Sequence, residues 1–404
     1  MPTNPIKQTK VLDGNRAAAY GAMLCRPDVI CAYPITPQTE VLEQLYQFKA
    51  ENRLDSEMVA PESEHSAMSI LRGAAGCGGR TFTATAAQGL AFMFEVCIHV
   101  ATHRLPVVMV NVCREMIAPH SVTNSHQDAM MVRDMGWIQI HAQNCQEIID
   151  QIIMAYRLAE DGEILIPVMV CYDGYYLSYQ WEPVEVPSQQ TVDRFLPPLV
   201  ISPTIDPEKP ATFGPFLPGE MGIEYRFRQT AALERAKEKF DQIDKEFDRC
   251  FGRSYGGQIE EYRTSDAEMI LMAVGSCAST AKVAIDNKRK EGWKIGLVNV
   301  RMVRPFPKER LIEALAGKKA IGVIDRNICF GWGSGALFME LKSALYDLGS
   351  RPPVLNFVCG LCGIDITVDI IEQAIERIQK ATKCRDYQDI TWLDLEQERE
   401  EKVS

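Results

Sequence analysis

Nowhere in the 404 residues does an apolar run approach the ~18 that span a bilayer. The segment Ile164 to Tyr172 is typical of the longest and reads as a core strand. The opening residues, Met-Pro-Thr-Asn-Pro-Ile-Lys, lack the apolar region of a signal peptide. Basic residues are outnumbered, giving a net charge of −11, which argues against a nucleic-acid partner. The 13 cysteines follow neither disulfide-scaffold spacing nor the close run that holds a ferredoxin-type cluster. Their one close pair, Cys359 and Cys362, has no matching second pair. All therefore read as ordinary thiols of a reducing cytoplasm, and neither a metal nor an iron–sulfur cluster is assigned to this chain. Histidine is scarce, with six in the chain, so a placed histidine is informative.

What is present is a core: 46% of residues are hydrophobic, enough for two substantial domains. From residue 10 to 182, helical and apolar strand segments alternate: helix Gly14 to Leu24, strand Val29 to Tyr33, helices Gln38 to Phe48 and Ser63 to Gly73, strand Thr81 to Thr85, helix Gly89 to Ala101. Strand Pro106 to Val112, helix Asp128 to Met135, strand Trp137 to His141, helix Cys145 to Glu160 and strand Ile164 to Cys171 follow. Such alternation predicts an α/β fold with a mostly parallel sheet covered by helices on both faces. Prolines recur from Trp181 to Pro218, which predicts a surface linker. A charged helical run over 220–250 predicts a solvated or subunit-spanning helix. A second α/β unit starts near Asp266. The expected division is 1–183, a linker and charged helix over 184–262, and 263–404.

Three segments carry candidate chemistry. In Tyr33-Pro34-Ile35-Thr36-Pro37, two prolines fix the backbone around one threonine, offering a hydroxyl and free N–H groups on a stiff turn; a plain strand-to-helix connection is the alternative. Glu64 opens a helix rich in small residues, where a carboxylate suits the helix dipole or, if sheltered, hydrogen-bonds a ring nitrogen of a cofactor. Arg114 follows the buried strand at its carboxyl end, where open α/β sheets bind ligands, and its planar fork suits a carboxylate. A structural salt bridge explains it equally well. Gly331-Trp332-Gly333-Ser334-Gly335 before an apolar helix reads as packing rather than an anion cradle.

These segments occur in order with Glu62-Ser63-Glu64-His65-Ser66-Ala67, Thr83-Ala84-Thr85, Gln88-Gly89-Leu90, His126-Gln127-Asp128, Gly136-Trp137-Ile138, Asp173-Gly174, Arg304-Pro305-Phe306-Pro307 and Asp325-Arg326. Together they resemble, nearly end to end, the alpha subunit of the 2-oxoacid:ferredoxin oxidoreductases, which convert a 2-oxoacid and CoA to acyl-CoA, carbon dioxide and electrons. The resemblance implies a thiamine-diphosphate-fold pyrimidine-binding domain followed by a transketolase C-terminal-like domain. It implies that Thr36 touches the substrate, Arg114 holds its carboxylate, Glu64 hydrogen-bonds the thiamine aminopyrimidine and promotes the tautomer that takes the thiazolium proton, and Gln88 contacts the cofactor. The Gly-Asp-Gly…Asn-Asn pattern that binds the diphosphate through Mg²⁺ is missing, so a beta subunit is expected to supply it. Gamma and ferredoxin-like delta subunits, and a flavin subunit reducing NAD, complete the implied complex.

Departures from the pyruvate-type pattern concern substrate. Where that pattern carries Trp and Asp before His-Gln-Asp, this chain has Thr123 and Ser125. If the loop lines the pocket, the freed space favours a 2-oxoacid larger than pyruvate. Ser178, Tyr179 and Trp181 after Asp173-Gly174, and Glu115-Met116-Ile117 after Arg114, add surface suited to an aryl side chain such as that of phenylglyoxylate. Thr123 and His126 are therefore candidate substrate contacts, His126 with Asp128 as a proton relay or a loop anchor. Pyruvate stays as the alternative substrate, and a scaffold subunit without chemistry as the alternative of another kind.

Overall fold

The computed structural model describes residues 8–118, 120–210, 212–349, 351–383 and 388–395. In chain order its strands are β1 (Gln8–Leu12), β2 (Val29–Cys31), β3 (Glu57–Val59), β4 (Thr81–Thr85), β5 (Val108–Cys113), β6 (Ile138–His141), β7 (Val168–Asp173), β8 (Glu182–Val186), β9 (Ile259–Tyr262), β10 (Met269–Ala273), β11 (Ile295–Val300), β12 (Met302–Arg304), β13 (Ala320–Asp325), β14 (Val354–Val358) and β15 (Ile390–Trp392). One sheet has the order β12-β6-β7-β5-β4-β2-β3, a second β15-β14-β13-β10-β11-β9, and β1 pairs with β8 alone. Every neighbour pair in the large sheets is parallel except β12 on β6 and β9 on β11. Parallel strands need crossovers, and helices crossing both faces bury the strands completely. All six residues of β5 and of β7 are accordingly buried, which explains their unbroken apolar reading.

Local chemistry sets the helix ends. Asp13 caps helix Gly14–Leu24 by accepting from the Arg16 N–H at 2.8 Å. A Cβ on Gly14 would lie 2.6 Å from the Leu177 carbonyl oxygen, so only glycine admits that approach. Asn144 caps helix Cys145–Ala159, which is buried along almost its whole length between the first sheet and its neighbours.

Two expectations change. The proline-rich stretch after Trp181 contains β8 and helix Gln189–Phe195, the latter capped by Ser188. Short elements there have too few residues to show a period. The charged run forms one helix, Gly219–Phe251, but it is not simply solvated. Ala232, Ala236, Phe240, Ile243, Phe247 and Phe251 recur at three- and four-residue steps and join the first core. Its dense charge hid that narrow stripe. The start of the helix does stand clear, with Ile223 and Phe227 exposed.

The helix start after the Gly331–Gly335 loop is occupied by a side chain of the protein itself. The buried Asp325 carboxylate at the end of β13 accepts from the Leu337 and Phe338 N–H groups, 3.1 Å each, and thereby caps helix Ala336–Leu345 itself. A Cβ on Gly335 would sit 2.0 Å from Asp325 Cγ, so that glycine makes room for the cap. No helix among the described residues is long and apolar enough to cross a membrane.

Candidate active site

The site forms at the carboxyl ends of β2, β4, β5 and β7, where the helices that follow begin. Arg114 immediately follows β5 and is buried, 6% exposed. One terminal nitrogen donates to the Thr36 carbonyl and the other to Gln88 Oε1 at 2.6 Å. Its Nε is buried without a partner. Burial pushes the guanidinium pKa down, against the opposing pull of Asp128 and Tyr175; an arginine nevertheless keeps its charge. Two of five donors are committed to the protein, and the rest of the fork remains available to an anion.

Glu64 is the first residue of helix Glu64–Gly76, whose start is capped by the Ser63 hydroxyl accepting from Ser66 N–H at 3.2 Å. The residue is 8% exposed, yet its carboxylate makes no hydrogen bond or ion pair among the described residues. With little exposure and no protein partner, its oxygens are left for a ligand donor. The space beside it is held open by glycine: a Cβ on Gly89 would lie 2.7 Å from Glu64 Oε1 and 2.6 Å from Thr85 Oγ1. The Thr85 hydroxyl is itself buried and unpaired. An orphaned carboxylate, an orphaned hydroxyl and a cleared cradle fit a small heteroaromatic ring that offers N–H groups, as an aminopyrimidine does.

Asp128 organises this corner. Its Oδ2 accepts from Ala87 N–H (3.0 Å), Asn111 Nδ2 (3.1 Å) and Arg114 N–H (3.2 Å), and Oδ1 from Ala129 N–H (2.7 Å). It thus ties the end of β5 to Ala87, which starts its helix at φ 39°. Burial raises the carboxyl pKa to about 6 despite those four donors. A folded-state pKa above the unfolded value means that stability present at low pH is lost as pH rises through about 6. Asparagine offers one acceptor oxygen in place of two, so Asp128→Asn is expected to lower the unfolding temperature, but by less at pH 8 than at pH 4, by thermal unfolding at both. Equal effects at the two pH values would show that the charge is not the strain.

His126 stands elsewhere. Its Nε2 is 2.6 Å from Asp173 Oδ1, and Asp173 also accepts from Ser276 N–H (2.8 Å) and pairs with Arg326 (3.2 Å). Burial disfavours that carboxylate, but Arg326, His126 and the Ser276 bond hold its pKa well below the usual range. The His126 N–H donates to the Arg326 carbonyl at 2.8 Å, so this buried cluster joins the two large sheets' domains. Thr123 also meets the second domain: Gly363 approaches so closely that a Cβ there would lie 2.5 Å from Thr123 Cβ. It borders an interdomain cavity of about 580 Å³ with Tyr175, Tyr176, Ser276, Arg326 and Ile364.

The structure therefore brings Thr36, Glu64, Gln88 and Arg114 to one corner and sets Thr123 and His126 at the domain junction. Thr36 contacts Arg114 through its carbonyl, leaving an exposed hydroxyl. Ser125 is buried, its hydroxyl accepting from Gln127 N–H at 3.1 Å. Tyr179 and Trp181 do not border the interdomain cavity; Tyr175 and Tyr176 do. Asn111 and the bridging role of Asp128 were missed. The only sequence signal for Asn111 was a polar residue inside an apolar strand.

A family model described as pyruvate flavodoxin/ferredoxin oxidoreductase, thiamine diphosphate-binding, matches residues 20–245, and one described as pyruvate:ferredoxin oxidoreductase core domain II matches 267–371. The chain belongs to this oxidoreductase family. It is 42% identical to the pyruvate synthase subunit PorA of Methanosarcina barkeri, covering 97% of this chain and 98% of that one. It is 43% identical to the ketoisovalerate oxidoreductase subunit VorA of Pyrococcus horikoshii (98% and 100%). Identity to the alpha subunit of the NADH-dependent phenylglyoxylate dehydrogenase of Aromatoleum evansii is 40% (93% and 92%). Its fold matches the 2-oxoglutarate:ferredoxin oxidoreductase of Magnetococcus marinus with a TM-score of 0.71 at 19% identity, over 93% of this chain and 66% of that longer one. A split-gene transketolase matches at TM-score 0.52 and 13% identity, over 94% of this chain and all of that one. The chain is thus an alpha subunit of 2-oxoacid oxidoreductase type, an enzyme component of thiamine-diphosphate fold.

Proposed function

We propose that this chain supplies the pyrimidine side of a shared thiamine diphosphate site, and that the assembled enzyme converts an aryl 2-oxoacid and CoA to acyl-CoA and carbon dioxide. The buried, partnerless Glu64 carboxylate facing the cradle at Gly89 carries the reading. When bound, thiamine diphosphate supplies the electron sink for decarboxylation. Glu64 holds a proton shared with the pyrimidine ring, and low exposure keeps water from competing for it. Gln88, fixed by Arg114, lies at the mouth of that cradle. Arg114 receives the substrate carboxylate, its plane set by the Thr36 carbonyl and Gln88, and the Thr36 hydroxyl donates to the keto or carboxylate oxygen. A beta subunit brings the diphosphate and Mg²⁺, a gamma and a ferredoxin-like delta subunit complete the complex, iron–sulfur clusters on the partner chains take the electrons, and a flavin subunit passes them to NAD.

The aryl preference rests on the junction beside the site. Tyr175 lines the cavity with Tyr176 and Thr123, giving room and aromatic surface for a ring. Pyruvate is the second reading, favoured by the pyruvate synthase relatives. CoA-dependent viologen reduction by the complex isolated on this chain, with phenylglyoxylate, pyruvate, 2-oxoglutarate and branched 2-oxoacids at equal concentration, separates them. The expected outcome is the highest kcat/KM with phenylglyoxylate; a preference for pyruvate would assign the Thr123 and Ser125 differences to drift.

A further inference from the structure

Behind Arg114 lies a group of side chains that the reaction does not use. Cys113 ends β5, His141 ends β6, and Cys171 lies in β7 between them. Cys171 is paired in register with His141 on one side, and with Asn111, two residues before Cys113, on the other. Pleating therefore puts all three side chains on one face of the sheet. Their ligand atoms lie within 4.8 Å of one another, and all three residues are buried.

His141 is the telling member. It is 1% exposed, and neither ring nitrogen has a hydrogen-bond partner among the described residues. An imidazole with both nitrogens orphaned in a dry interior is expensive unless one of them binds something. Asn111, on the same face, adds another orphan: its Nδ2 is 3.4 Å from Cys113 Sγ, and its Oδ1 is unpaired.

We propose that Cys113, His141 and Cys171 form a buried structural zinc site, the fourth position being taken by an oxygen ligand. Two thiolates and one neutral imidazole around Zn²⁺ sum to zero charge, which a low-dielectric interior accepts. A neutral imidazole binds through a ring nitrogen lone pair, so no proton has to leave it. Binding releases two thiol protons to solvent, forms two Zn–S bonds and one Zn–N bond, and changes no oxidation state. A ligand separation up to 4.8 Å contracts modestly to suit bonds of ~2.3 Å to sulfur and ~2.0 Å to nitrogen. The ion would stitch together the carboxyl ends of β5, β6 and β7, from which Arg114 and Asp173 project. The proposal does not depend on the substrate.

The test is zinc analysis of the full chain, produced with added zinc and dialysed, together with zinc K-edge X-ray absorption. The expected result is about one zinc per chain in a shell of two sulfurs at ~2.3 Å plus nitrogen and oxygen. That zinc should persist when the exposed Cys77, Cys250 and Cys362 are all changed to serine, and fall in Cys171→Ser. Zinc well below one per chain, a shell without two sulfurs, or loss of zinc in the exposed-cysteine variant would overturn the site. If Cys171→Ser does not fold, the absorption spectrum of the unaltered chain still decides.

Discussion

Glu64→Gln is expected to lower CoA-dependent 2-oxoacid oxidation by the assembled complex by about 10²–10⁴-fold, the range usual for a lost proton-transfer group. Glutamine preserves shape and hydrogen-bonding reach but cannot hold the proton. Because the carboxylate has no partner among the described residues, the substitution should leave thermal stability equal or slightly raised. That combination, activity lost with stability kept, separates a catalytic carboxylate from a helix-end charge. Turnover within a fewfold of the parent would return the chain to the scaffold reading.

Arg114→Lys is expected to act on substrate capture. The lysine keeps the charge but loses the planar fork that is oriented by the Thr36 carbonyl and Gln88. Truncating a buried charge contact of this kind costs ~2–5 kcal/mol, so kcat/KM should fall by at least about 30-fold, mostly through KM. Steady-state kinetics over a wide range of 2-oxoacid concentration reads the split. An unchanged KM would mean that Arg114 serves the fold, through Asp128 and Gln88, and not the substrate.

Much of the first domain was legible because its signals are local. Helix Gly14–Leu24 and strand Thr81–Thr85 fall on the residues expected, one bounded by an Asp cap and the other by apolar pattern. Helix Gly89 to Ala101 was not: it is two helices, Ala87–Phe92 and Phe94–Thr102, meeting at Met93. Its first residue takes a positive φ with its N–H on Asp128, a partner 41 residues away that no local pattern announces. In the same way the corner of Thr36, Glu64, Gln88 and Arg114 followed from ordered motifs, whereas the burial of His126 against Asp173 and Arg326 depends on how two domains meet. The three residues of the candidate zinc site carry no motif because each comes from a different strand; only the sheet order makes them neighbours.

The pairing of β12 with β6 bears on how the chain is made. Residues 302–304 close the edge of a sheet whose other six strands were complete by Asp173, after β9 to β11 have already entered the other sheet. During synthesis the ribosome must deliver well over a hundred further residues before the β6 edge is covered. Until then that edge offers unpaired backbone to any neighbouring chain. A fragment stopped before β12 would keep the residues of the candidate active site yet carry an open, aggregation-prone border, so the first sheet takes its last strand from a segment made after most of the chain.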